Sequence, residues 1–190
     1  MSNSEYLKTQ VRTPLSPQEL HDLWTKSPRT KGPSPRVVMY DNIIKARSLN
    51  TIFGKKDAVI IFYPNFKGAR GTSGHYVTLI RNKANRTIYF FDSYGGKPDV
   101  DQKKYAMNRD ELYDEEHNSL IKLLLKKGWN VDYNHVPLQA SSPDVATCGR
   151  WGLTRVMWKH LTNDQFVQAI KYWSNKLNIS PDELVTILFN

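Results

Sequence analysis

The stretch Gln139-Ala-Ser-Ser-Pro-Asp-Val-Ala-Thr-Cys148-Gly-Arg-Trp151 decides how the chain is read. It carries Cys148, the sole cysteine of 190 residues, so a disulfide within the chain cannot form. A lone thiol is either a small buried hydrophobe or a reactive group. Ser141-Ser-Pro-Asp144 marks a loop. Beyond it, Trp151, Val156, Met157, Trp158 and Leu161 recur at helical spacing, weakened only by Gly149 and Gly152. Cys148 is therefore expected at or within a turn of a helix N-terminus, where partial positive charge favours a thiolate. A thiolate nucleophile calls for a general base, and that directs the search upstream to the histidines.

Outward from this stretch the patterns are those of an α+β chain. Asp57 to Tyr63 is a near-continuous apolar run rich in β-branched residues, as in a strand buried on both faces. His75 to Ile80 and Thr87 to Phe91 read as two further strands joined by the polar turn Arg81 to Arg86, with Asp92 closing the second. Asn130 to Val136 suggests a fourth strand, ended by Pro137. Val37 to Ile52 is open between a short strand or turn and a helix. Pro64 to Gly74 reads as a loop.

Helices are expected from the capping signals Ser16-Pro-Gln-Glu19, Thr162-Asn-Asp-Gln165 and Ser180-Pro-Asp-Glu183. Another is expected from Asn108 to Lys127, with Gly128 ending it. Phe166, Ile170, Trp173 and Leu177 form the expected apolar side of the helix after Thr162. Residues 1–190 read as a single domain, with 1–14 as an arm of little pattern.

The totals limit the partners. No apolar run approaches the roughly 18 residues that span a membrane. The first residues, Met1-Ser-Asn-Ser-Glu5, show no signal peptide, and one cysteine fits a reducing intracellular setting. The net charge is +9. From Lys26 to Lys56 there are eight basic residues and one acid, Asp41. That segment is either a contact for DNA or RNA or a solvated basic surface. His21, His117, His135 and His160 lack metal-ligand spacing and read as structural.

One histidine stands apart. His75 begins a strand, and Asp92 ends the next strand 17 residues later. A hairpin would bring them to one sheet edge, where a carboxylate can orient an imidazole and stabilise its cation. Gln139 follows the fourth strand, nine residues before Cys148. Its amide and the Cys148 backbone N–H are candidate donors to an oxyanion.

His75-Tyr-Val77, then Phe91-Asp-Ser93, then Gln139 ahead of Cys148-Gly149 resemble the adenovirus-protease and SUMO-protease clan of cysteine peptidases, over about Val59 to Trp158. Tyr76 stands where the clan most often has tryptophan, and the gap from Gln139 to Cys148 is a little longer than usual. The resemblance implies a papain-like site in permuted order on a mainly antiparallel or mixed sheet flanked by helices. Cys148 would be the nucleophile, His75 the general base, Asp92 its orienting acid and Gln139 the oxyanion donor.

It further implies a viral capsid-maturation endopeptidase of virophage, mavirus-like or Maverick-type origin. Such an enzyme would cut capsid precursors at small residues such as glycine, within the virion and the infected host cell. No cofactor is required, and DNA is the activator the clan suggests. Activation by a disulfide-linked peptide is excluded, because only Cys148 could carry it. The rival readings are a protease releasing a ubiquitin-like modifier, an acyltransferase on the same site, and a DNA-binding capsid-associated protein.

Overall fold

The structure, a computed structural model, describes residues 3–64, 74–98 and 120–189. Its centre is a five-stranded sheet in the order β1-β2-β3-β4-β5. The strands are β1 (Arg36–Met39), β2 (Ala58–Pro64), β3 (Gly74–Asn82), β4 (Thr87–Asp92) and β5 (Asn130–Tyr133). β2, β3 and β4 are antiparallel neighbours, whereas β1 and β5 add to the two flanks in parallel. The fold is thus α+β with a mixed sheet.

The run read as doubly buried is so: every residue of β2 is buried. Val59, Ile61 and Tyr63 pack to one side, where α3 (Tyr40–Ile44), α4 (Leu49–Phe53) and α5 (Leu120–Lys126) supply Ile43, Ile52, Phe53 and Leu124. Ile60 and Phe62 pack to the other, against Leu20 and Trp24 of α2 (Pro17–Lys26) and Leu153 and Val156 of α6 (Cys148–Met157). Full burial of each such side chain stabilises by about 1.5–3 kcal/mol, so this one strand anchors both layers.

The ambiguous segment from Val37 to Ile52 resolves into β1, α3 and α4. Capping boxes at Ser16, Thr162 and Ser180 open α2, α7 (Asn163–Leu177) and α8 (Pro181–Ile187). The stretch read as an arm contains α1 (Asn3–Arg12), and Ala146 N–H donates to the Val11 carbonyl at 2.8 Å.

Two expectations are corrected. β5 stops at Tyr133 because the Asn134 side chain turns to bond the Asp92 backbone, with the Asn134 amide itself donating to the Phe90 carbonyl at 3.4 Å. On α7 the buried face is Phe166, Val167, Ile170 and Ser174, while Trp173 and Leu177 are exposed. The last turn of this helix therefore presents its aromatic outward, and the Lys176 ammonium sits 4.8 Å over the Trp173 ring. Of the loop expected from Pro64 to Gly74, the two end residues lie in β2 and β3, while residues 65–73, like the helix start expected over 108–119, lie outside the described residues.

Candidate active site

Hairpin register builds the first half of the site. Val77 pairs with Asp92, so His75 lies two residues along the same strand on the same face and diagonal to the acid. His75 Nε2 and Asp92 Oδ1 are 2.8 Å apart, and both side chains are buried. The Tyr94 amide donates to the same Oδ1 at 2.9 Å. Gly74 is required just ahead of His75. A Cβ there would meet the Phe62 ring and the Tyr63 carbonyl oxygen at 2.4 Å.

The second half comes from α6, whose first residue is Cys148. Its two glycines let this helix lie close on α2 and on the sheet. A Cβ on Gly149 would be 2.9 Å from Leu20 Cδ2, and one on Gly152 would be 3.3 Å from Ile60 Cδ1. The approach brings the half-buried Cys148 side chain into hydrogen-bonding contact with His75. Burial works against a charge on this ring. Hydrogen bonds to Asp92 and Cys148, with their charges, outweigh it and raise the His75 pKa to about 10. An imidazolium can therefore sit between the carboxylate and the sulfur at neutral pH.

Gln139 is held beside this pair. Its backbone N–H and that of Leu138 both donate to the Ser93 carbonyl. Ser93 Oγ donates to Gln139 Oε1 at 2.7 Å, which fixes the sense of the amide. Gln139 Nε2 donates to Tyr94 Oη at 2.9 Å, and the Tyr94 ring lies 5.1 Å from that of His75. One of the two amide protons is thus committed to Tyr94 and the other is uncommitted by this bond.

Sequence reasoning missed the supporting residues. Asn134 grips the Asp92 backbone. Tyr94 links His75 to Gln139. The buried Arg150 donates to the Thr13 carbonyl at 3.1 Å and to Gln10 Oε1 at 2.9 Å, which ties the N-terminal segment to the nucleophile helix. None has a local pattern, since each acts across the fold; only the turn composition Ser93-Tyr-Gly-Gly96 pointed to the region of Tyr94. Among the described residues, no group of histidine, cysteine and carboxylate side chains has the arrangement of a metal site.

The described elements define a class: an α+β chain with cysteine, histidine and aspartate side chains meeting at the end of a mixed sheet. No protein-family model matches it. It is 32% identical over 152 residues to the uncharacterized protein V9 of Sputnik virophage, covering 80% of this chain and 84% of that one. The chain belongs to the same family as this virophage protein.

Among solved structures it is similar to the SUMO protease Ulp1 with its catalytic cysteine oxidized to a sulfonic acid (TM-score 0.41, 14% identity, 96% of this chain and 78% of that one). It is also similar to the Ulp1 protease domain in complex with SMT3, the yeast ortholog of SUMO (TM-score 0.42, 11% identity, 96% and 77%). The likeness to an ASFV protease is more partial (TM-score 0.34, 17% identity, 70% and 43%). Among the described residues, no helix is long and apolar enough to cross a membrane.

Proposed function

We propose that the chain is a cysteine endopeptidase that processes a capsid precursor of a virophage-type virus. The observation that carries this reading is the His75 ring, with the Asp92 carboxylate at one nitrogen and the Cys148 sulfur in hydrogen-bonding contact. In the reaction, the Cys148 sulfur attacks a peptide carbonyl and the His75 imidazolium gives its proton to the leaving amine. Neutral His75 then takes a proton from water, whose oxygen attacks the acyl-enzyme and frees the sulfur. Asp92 keeps the ring oriented and stabilises its cation. The carbonyl oxygen, negative in the tetrahedral state, accepts from the Gln139 amide and from the Cys148 backbone N–H at the helix start.

Kinship with a virophage protein supports a viral structural substrate over a modifier conjugate. The clan resemblance supports small residues such as glycine before the cut. The sites of action are then the virion and the infected cell. The test is direct. The purified chain is mixed with the coat-protein precursor of its own virus and cleavage is followed by mass spectrometry. Cys148→Ala should fold, bind the precursor and leave it whole; turnover by that variant ends the reading.

A second reading, compatible with the first, concerns DNA. Arg29, Lys31, Lys55, Lys56 and Lys159 line a groove of about 400 Å³ with Asp57 as its acid. Lys56 Nζ donates to the Ser34 carbonyl and Arg29 Nη1 to the Leu188 carbonyl, so Lys31, Lys55 and Lys159 are the cations best placed to meet a phosphate backbone. This favours DNA as a partner that holds the protease near its substrate, and as an activator.

A further inference from the structure

Asp182 lies on α8, far along the chain from every residue of the proposed chemistry, and its buried carboxylate accepts three hydrogen bonds. Oδ2 accepts from the Ala140 amide at 2.9 Å, one residue after Gln139. Oδ1 accepts from Thr147 Oγ1, one residue before Cys148, and from Trp151 Nε1 at 2.9 Å, one helical turn after it. Of the residues whose hydrogen bonds are described, Asp182 alone joins both the Gln139 segment and the nucleophile helix. Thr147 makes no side-chain capping bond to that helix, and its hydroxyl is turned to Asp182 instead.

We infer that Asp182 is a positioning residue that fixes the distance between the Cys148 sulfur and the Gln139 amide. The inference rests on the endopeptidase reading. Two oxygens facing three donors make the carboxylate hard to replace. An asparagine can keep one acceptor oxygen toward Thr147 and Trp151, but its amide then faces the Ala140 N–H as a second donor. The nucleophile side would be retained and the tie to the Gln139 segment lost. Addition to a carbonyl needs both sides in register, whereas simple alkylation of the sulfur needs only the thiolate.

The two chemistries supply the test on the full chain. Iodoacetamide alkylates Cys148, with the sulfur–carbon bond formed and iodide released. A peptide aldehyde ending in glycine adds reversibly: the sulfur bonds to the aldehyde carbon, and the oxygen, held by the oxyanion donors, takes the proton. In Asp182→Asn the alkylation rate and its pH profile should stay within about twofold of wild type, while aldehyde affinity falls about tenfold or more. Gln139→Ala, which removes a donor directly, should show the same split. If Asp182→Asn does not fold, Thr147→Val is used, which keeps the Ala140 bond and loosens the nucleophile side of the same tie, and aldehyde affinity should again fall by more than the alkylation rate. Unchanged aldehyde affinity in a folded variant, or alkylation and addition falling together, overturns the inference and leaves the endopeptidase reading intact. A wild-type protein that neither alkylates rapidly nor binds the aldehyde overturns both.

Discussion

Asn134 holds Asp92 through its backbone from both directions: Nδ2 donates to the Asp92 carbonyl at 2.7 Å, and Oδ1 accepts from the Asp92 amide at 2.9 Å. A strand end that would otherwise fray is clamped where the acid must point at His75. Asn134→Leu keeps similar bulk and removes both bonds, leaving the Asp92 carbonyl only its bond from the Gly95 amide, at a cost of about 0.5–1.5 kcal/mol for each bond lost. The variant should lose stability in urea and alkylate Cys148 more slowly. A variant as stable as wild type would show that β4 does not need the clamp.

The His75 ring sets a pH window. Its pKa stands near 6.5 in an unfolded chain and is raised to about 10 here, where bonds to Asp92 and Cys148 outweigh burial. The charged ring therefore contributes stability that is full below about 6.5 and is lost as pH rises through about 10. Urea unfolding of wild type and His75→Gln should diverge most at or just below about pH 6.5 and converge above about pH 10. By NMR the His75 ring should not titrate between about pH 6 and 8, and in Asp92→Asn its midpoint should move down. A midpoint near 6.5 in the wild type would refute the coupling.

Gly74 leaves no room for a methyl group. The Tyr63 carbonyl, 2.4 Å from where a Cβ would lie, belongs to the paired strand and cannot swing aside. Gly74→Ala should displace the start of β3, cost about 1–3 kcal/mol as overpacking and slow Cys148 alkylation by moving His75. Gly152→Ala, where the nearest atom is the flexible tip of Ile60 at 3.3 Å, should cost less. Equal effects of the two substitutions would contradict this ordering.

Binding of duplex DNA should fall steeply with salt, and Lys31→Glu with Lys55→Glu should reduce the slope of log K against log salt by about one for each lysine. Cys148 alkylation in the absence of DNA should not change. A slope untouched by both substitutions would place the DNA contact elsewhere.

Much of this architecture was legible locally. β2 betrayed itself by unbroken β-branched apolar residues, since a strand covered on both faces has no polar side to alternate. The caps at Ser16, Thr162 and Ser180 were readable because a capping box is complete within four residues. The meeting of His75 and Asp92 was readable because a tight hairpin converts sequence spacing into register.

Sequence alone therefore determined β2, β3 and β4, the capped helices and the pairing of His75 with Asp92, all of which depend on neighbours a few residues away or on one short turn. Tertiary structure alone decided that β1 and β5 join in parallel at the flanks, that α6 brings Cys148 onto His75, and that Asp182, Asn134 and Arg150 brace the site. Those contacts join residues from 23 to 140 positions apart. A single buried polar side chain has no periodicity, and its partner is chosen only when the packed layers place a donor opposite an acceptor.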